Sequence, residues 1–511
     1  MKFTKIALAC GLALAALSAQ AAGPTIPAGT RVIFLSGATA PDNFLADIAS
    51  SMLTNVTAIQ NFSTNSAGVV TINHRAFLGK AASGIPGVPA GADVLFIKRS
   101  AGGSVFGVDP VARAARIQTI DFNNCTATTG AFAWSCGTRG IDPGITGHNT
   151  AANTGLVPDF GVSDVEPAMF KEPYNTENGQ PALSNAEAAR LTNRPVNQLM
   201  MGIVATNAVA ADTYMSRSQY GAMLAGKVQD WSSIDGSADP VVVCRRVNGS
   251  GTQTSYNWFF TGFPCNNALN GFAGTPPASA QDSFGYDGAH AGTVADPIII
   301  DPSAGFTVVE NSGSSDVRNC LKAAQDGTVF NVRGSNNINY RVLFNNVGGA
   351  PGTPSKAIGV LSLDSYPNAN VAGSGFSFRH LDGAGTFDGA SQLSSAGATG
   401  IAPSKANLVN GIYDFVVELS LQSRNTSVTN VNGDVVPALS TDAVKAGFFN
   451  EFVRRAGLTR YTGNDGGTFT SVPNAFASLP QFTSYATKPA FVSKFSRNGN
   501  TCAPLISFPP L

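Results

Sequence analysis

Arg245 and Arg246 close an apolar run and lead into Val247-Asn248-Gly249-Ser250-Gly251-Thr252. Tyr256, Phe259, Phe260 and Phe263 then recur at helical spacing, so a helix is expected to start near Ser250. The first N–H groups of a helix have no partner inside it and point at whatever lies in front. The helix dipole favours negative charge there. Gly249 and Gly251 allow close backbone approach, and Ser250 and Thr252 add hydroxyl donors. Arg246 supplies a planar fork suited to a tetrahedral oxyanion. The chemistry on offer is anion binding; the plainer alternative is an ordinary Ser N-cap. The stretch is not a P-loop, because no Gly-Lys-Ser/Thr follows, and it is not a Gly-x-Ser-x-Gly elbow.

Three further turns have related chemistry. In Asp159-Phe160-Gly161-Val162-Ser163-Asp164 an apolar strand ends on a carboxylate. Asp164 either caps the next helix or accepts a hydrogen bond from a protonated ligand. A carboxylate beside an oxyanion is repulsive unless the ligand brings a proton, as phosphate does at neutral pH and sulfate does not. Ser36-Gly37-Ala38-Thr39-Ala40-Pro41 and Arg99-Ser100-Ala101-Gly102-Gly103 are also strand ends, and each alone reads equally as a turn.

Taken in order, Gly37–Pro41 (GATAP), Ser100–Gly103 (SAGG), Asp159–Asp164 (DFGVSD) and Arg246–Thr252 (RVNGSGT) resemble the periplasmic phosphate-binding proteins of ABC transporters. That family shows G-A-T-F-P, S-x-G-G, D-F-G-A-S-D and R-x-D-G-S-G-T. Gly221–Trp231 (GAMLAGKVQDW) and Ala357–Ser365 (AIGVLSLDS) are similar to two further family segments, over a span from about 30 to about 460. The resemblance implies an α/β chain with the two-lobed type II periplasmic binding protein fold. Its sheets would be mixed, mostly parallel and flanked by helices, with two hinge crossings. It implies a ligand set of Thr39, the Ala40 N–H, Ser100, Asp164, Arg246, Asn248, Ser250, Gly251 and Thr252. Two departures stand out. Asn248 replaces the family's acidic residue, and about 60 residues separate Gly103 from Asp164 where the family has a short connection.

The elements that must hold these turns follow from apolar periodicity. Strands are expected at 30–36, 93–98, 157–163, 199–207, 240–246, 357–365 and 411–422. Helices are expected after Pro41, at 216–231, at 314–327 and at 441–458. Stretches 107–155, 264–305 and 366–407 read as irregular. Lobe 1 is expected at 22–205 plus 411–511, with an insertion at about 105–155, and lobe 2 at 206–410.

Residues 1–21 have a positive start, an apolar run and Ala19-Gln20-Ala21, the pattern of a secretory signal peptide. The remaining chain, about 490 residues, is long enough for two or three domains. Thirty-two basic and 32 acidic residues cancel, and no basic run stands out, which argues against a nucleic-acid partner. Cys125, Cys136, Cys244, Cys265, Cys320 and Cys502 remain after the signal. An even count in an exported chain points to disulfides, and six cysteines allow 15 pairings. Proximity favours Cys125–Cys136 and Cys244–Cys265, leaving Cys320–Cys502. With no CxxC and four scattered histidines, the metal reading is weak.

The expected protein is a periplasmic, monomeric solute-binding protein without cofactor. It would hold inorganic phosphate or a similar oxyanion and present it to an ABC permease in the inner membrane. Three rivals remain: a binder of another oxyanion or phosphorylated compound, a phosphatase on the same scaffold, and a secreted structural or adhesive protein.

Overall fold

The computed structural model describes residues 23–61, 73–177, 180–265, 276–334, 338–368, 373–383, 386–387, 400–462 and 475–508. The expected signal peptide lies outside the described residues.

Two parallel triplets of strands organise the chain. In one, β1 (Arg31–Gly37) lies between β4 (Asp93–Arg99) and β7 (Phe160–Ser163). In the other, β9 (Val242–Arg246) lies between β12 (Thr307–Asn311) and β15 (Ala357–Ser362). Their central strands are buried nearly end to end, which explains their continuous apolar runs. Every turn singled out in the sequence follows the carboxyl end of a triplet strand, where open α/β sheets bind ligands.

Antiparallel strands join and flank the triplets. The first part of β8 (Leu191–Thr206) pairs with β18 (Val416–Arg424), and its last part pairs with β15 and β16 (Phe376–Arg379). The chain therefore passes from one triplet to the other along β8 and returns before β18. These are the two crossings of a two-lobed fold. β16 carries the two-residue β17 (Thr386–Phe387). A separate small sheet runs in the order β10 (Tyr286–Asp287), β11 (Ile298–Ile300), β14 (Asn339–Leu343), β13 (Val329–Arg333).

Helices flank the triplets, most of them burying an apolar stripe. α1 (Asp42–Ser51) buries Phe44, Leu45 and Ile48. α2 (Arg217–Leu224) and α3 (Gly251–Thr261) belong to the second lobe, as does α4 (Ser314–Asp326), which buries Val317, Cys320, Leu321 and Ala324. α5 (Ala443–Gly457) sets Phe448 against Phe96 at 5.7 Å and Phe449 against Phe160 at 5.0 Å.

Two expectations are corrected. Only Cys125–Cys136 pairs as proximity suggested; the other bonds are Cys244–Cys320 and Cys265–Cys502, not Cys244–Cys265 and Cys320–Cys502. The reason is length. α3 has 11 residues, so it carries Cys265 roughly 16 Å along its axis from the strand end, beyond the ~7 Å Cα reach of a disulfide. The stretch 264–305, which holds β10 and β11, and the stretch 366–407, which holds β16 and β17, are not irregular throughout, and neither is 107–155. The last holds a short helix, Asp109–Arg113, and the hairpin of β5 (Thr119–Ala127) and β6 (Trp134–Arg139). β6 extends the sheet beside β2 (Leu53–Asn61), which pairs on its other side with β3 (His74–Ala81). Cys125 and Cys136 are cross-strand partners in that hairpin.

Candidate functional site

The site forms where the ends of β1, β7 and β9 and the starts of α3 and α4 meet. Gly249 turns the chain with a positive φ of 79°. Ser250 then caps α3, its Oγ accepting from the Gln253 N–H at 3.4 Å. The first seven residues of α3 are buried, so the helix start faces protein interior rather than water.

Asp164 lies directly in front of that start. A Cβ on Gly251 would fall 2.7 Å from Asp164 Cβ and 2.8 Å from its Oδ2, so only glycine permits this approach. Thr252 Oγ1 donates to Asp164 Oδ2 at 3.4 Å, and the Asp164 N–H donates to Ser104 Oγ at 3.2 Å. Oδ1 of Asp164 is buried without a partner. Burial raises the Asp164 carboxyl to about 6, against the pull of the Arg246 charge and of the Ser104 and Thr252 hydrogen bonds.

Arg246, 2% exposed, joins the lobes. Its Nη1 donates to Thr39 Oγ1 at 2.7 Å and to Ser314 Oγ at 3.3 Å. Nη2 donates to the Ser312 carbonyl at 2.6 Å, and Nε to the Asn311 carbonyl at 3.2 Å. Thr39 and Ser314 are themselves 3.0 Å apart, so a turn of the first lobe meets a helix start of the second. Burial lowers the guanidinium to about 10, so it stays charged at neutral pH.

Thr39, Asp164, Arg246, Ser250, Gly251 and Thr252 are thus brought together. Ala40 is buried beside them, its carbonyl accepting from Ser362 Oγ at 2.8 Å. Ser100 sits one step aside, donating to Asp42 Oδ1 at 2.8 Å and accepting from Lys98 Nζ at 2.9 Å. With Thr39 it borders a cavity of about 160 Å³. Asn248 is turned away: its Oδ1 accepts from Arg245 Nη2 at 2.9 Å, and it borders a different cavity, with Tyr174 and Tyr340. Acidic groups around Arg246 come instead from Asp164, Asp316, Asp42 and Glu177.

Sequence reasoning missed three contributors. Ser104 immediately follows the SAGG turn and was legible as its continuation. Ser314, in Ser312-Gly313-Ser314, reads in sequence as a plain helix start. Lys98, 3% exposed, props the first turn by donating to the Gly37 and Ala38 carbonyls at 3.2 and 2.9 Å. Nothing local distinguishes it from any strand lysine.

No family model matches the chain, and no curated protein matches its sequence. Solved structures similar to it include an ABC-type phosphate transport receptor from Vibrio cholerae, 12% identical, TM-score 0.32, over 84% of this chain and 98% of that one. PstS from Borrelia burgdorferi is 10% identical, TM-score 0.32, over 85% and 97%. The high-affinity periplasmic phosphate-binding protein PfluDING, bound with phosphate, is 15% identical, TM-score 0.36, over 87% and 89%. Identities this low and these TM-scores leave the argument on this chain's own residues.

Proposed function

We propose that the chain is an exported solute-binding protein that captures inorganic phosphate between its lobes and delivers it to an ABC-type permease. The lobes are residues 22–205 with 411–511, and 206–410. The observation that carries this reading is the pairing of a buried carboxyl, Asp164, with a buried guanidinium, Arg246, at the start of α3. The arginine and the helix start favour an oxyanion. The carboxylate favours one that brings a proton. The role asked of the residues is binding. Ser250 Oγ is engaged at the helix cap rather than presented as a nucleophile.

Thermal unfolding of ligand-stripped protein tests the proposal. Phosphate at a hundredfold excess over Kd stabilises a one-site binder by about 2.7 kcal/mol. An unchanged Tm at millimolar phosphate overturns the reading.

A further inference from the structure

The cavity beside Thr39 and Ser100 is larger than a single oxyanion needs. Its ~160 Å³ is roughly ten times the room one water needs. Two arginines line it, Arg75 from β3 of the first lobe and Arg318 from α4 of the second. Arg318 Nη1 donates to Ser365 Oγ at 3.1 Å, and Arg75 Nη1 reaches Asn43 Oδ1 at 3.5 Å. Neither forms an ion pair among the described residues. Asp42, in the same wall, is committed to Lys98 at 3.1 Å.

Asp364 closes the cavity on the second lobe. It is 2% exposed, its Oδ2 accepts from the Asn43 N–H at 3.3 Å, and its Oδ1 is buried without a partner. Burial, helped by the neighbouring Asp42 charge, pushes its carboxyl up to about 8 against the Asn43 hydrogen bond and the pull of the Arg318 and Arg75 charges, so at neutral pH it is mostly a neutral donor. Gly313, Ser314 and Ser315 bring the start of the 13-residue α4 to the same wall. Every lining residue is polar or glycine, so an apolar tail finds no surface to pack on. Two guanidinium groups with no ion pair among the described residues, a helix start and a neutral carboxyl donor all favour negative charge.

We propose that the cleft takes a small phosphate anhydride or ester with a second anionic group. One phosphoryl group sits against Arg246 and the start of α3, and the second group sits between Arg75 and Arg318. Ser314 is the shared wall, since it touches Thr39 and Arg246 and also lines the cavity. Because Arg75 and Arg318 belong to opposite lobes, a ligand spanning both subsites holds the lobes closed. This inference rests on the phosphate reading of the Arg246 site and adds the ligand class to it.

The test is calorimetry on ligand-stripped protein with orthophosphate, methyl phosphate and inorganic pyrophosphate. Pyrophosphate is expected to bind at least about tenfold tighter than the other two, the effect of one charge-assisted contact. Arg75→Gln and Arg318→Gln are each expected to remove that advantage while orthophosphate affinity stays within about threefold. Pyrophosphate binding no tighter than orthophosphate overturns the second subsite and leaves the phosphate reading standing. So does an equal loss of both ligands in the two variants. If neither ligand binds, the phosphate reading fails and this inference with it. The wild-type ratio decides the matter even where a variant folds poorly.

Discussion

Sulfate is the sharpest probe of Asp164, because it carries no proton near neutral pH. With Asp164 ionised, sulfate meets an acceptor that it cannot satisfy and a charge that repels it. With Asp164 protonated, the carboxyl becomes a donor and the clash disappears. The folded carboxyl titrates at about 6. About 1% of it is protonated at pH 8 and about 90% at pH 5. Apparent affinity scales with the competent fraction. Sulfate binding is therefore expected to strengthen roughly 90-fold from pH 8 to pH 5, or about 2.7 kcal/mol. Phosphate brings its own proton and gains far less over the same range. Asp164→Asn keeps the shape and supplies a permanent donor. Its sulfate affinity at pH 8 should rise to near the wild-type value at pH 5 and lose its pH dependence. Phosphate should weaken in that variant by about 1–3 kcal/mol, the cost of an unmatched buried donor. Competition calorimetry with sulfate at pH 5, 6, 7 and 8 on both proteins reads all of this. A flat sulfate profile in the wild type, or an unaltered profile in Asp164→Asn, would refute the selection argument.

Other residues make separate predictions. Gly251→Ala places a methyl into Ser104 and Asp164; it should abolish measurable phosphate binding while costing about 1–3 kcal/mol of stability by overpacking, as urea melts would show. The Cys244–Cys320 bond spans 76 residues and ties the strand of Arg246 to the helix of Ser314. Cys244→Ser with Cys320→Ser should cost about 4 kcal/mol in the entropic model, and peptide mapping of the native protein should recover this pair rather than Cys244–Cys265. The folded Asp364 carboxyl sits at about 8, above its unfolded value. Its contribution to stability is thus present at low pH and lost as pH rises, at about 1.4 kcal/mol per unit between roughly 4 and 8. Melts of Asp364→Asn and wild type should therefore diverge toward pH 8, with the variant gaining; parallel curves would exclude the buried-acid account.

The turns were legible because their chemistry is local: residue type and the switch from strand to helix are both written within seven residues at Arg246–Thr252. What brings the turns together is not local. Thr39 meets Arg246 and Ser314 only because β1 and β9 each occupy the centre of a triplet and the lobes face each other. No spacing along the chain encodes that, so Ser314, Arg75 and Arg318 stayed invisible. β8 was read short, from 199, because Asn193, Arg194, Pro195, Asn197 and Gln198 interrupt the apolar pattern. In the structure the Asn197 and Gln198 amides donate to the Ala456 and Phe495 carbonyls at 2.9 Å each, which lets polar residues sit inside the sheet. The β5–β6 hairpin was hidden for a related reason. An edge hairpin with one face exposed needs no apolar run, and its Thr and Asn residues read as loop.

The central claim is that Asp164 and Arg246 together hold phosphate. Calorimetry of phosphate binding to ligand-stripped protein, beside Arg246→Ala and Asp164→Ala, tests it most directly. The account predicts one phosphate per chain in the wild type and a loss of at least about tenfold in each variant, since each removes a charged partner. Wild-type binding that survives both substitutions unchanged, or no binding heat in the wild type, would contradict it.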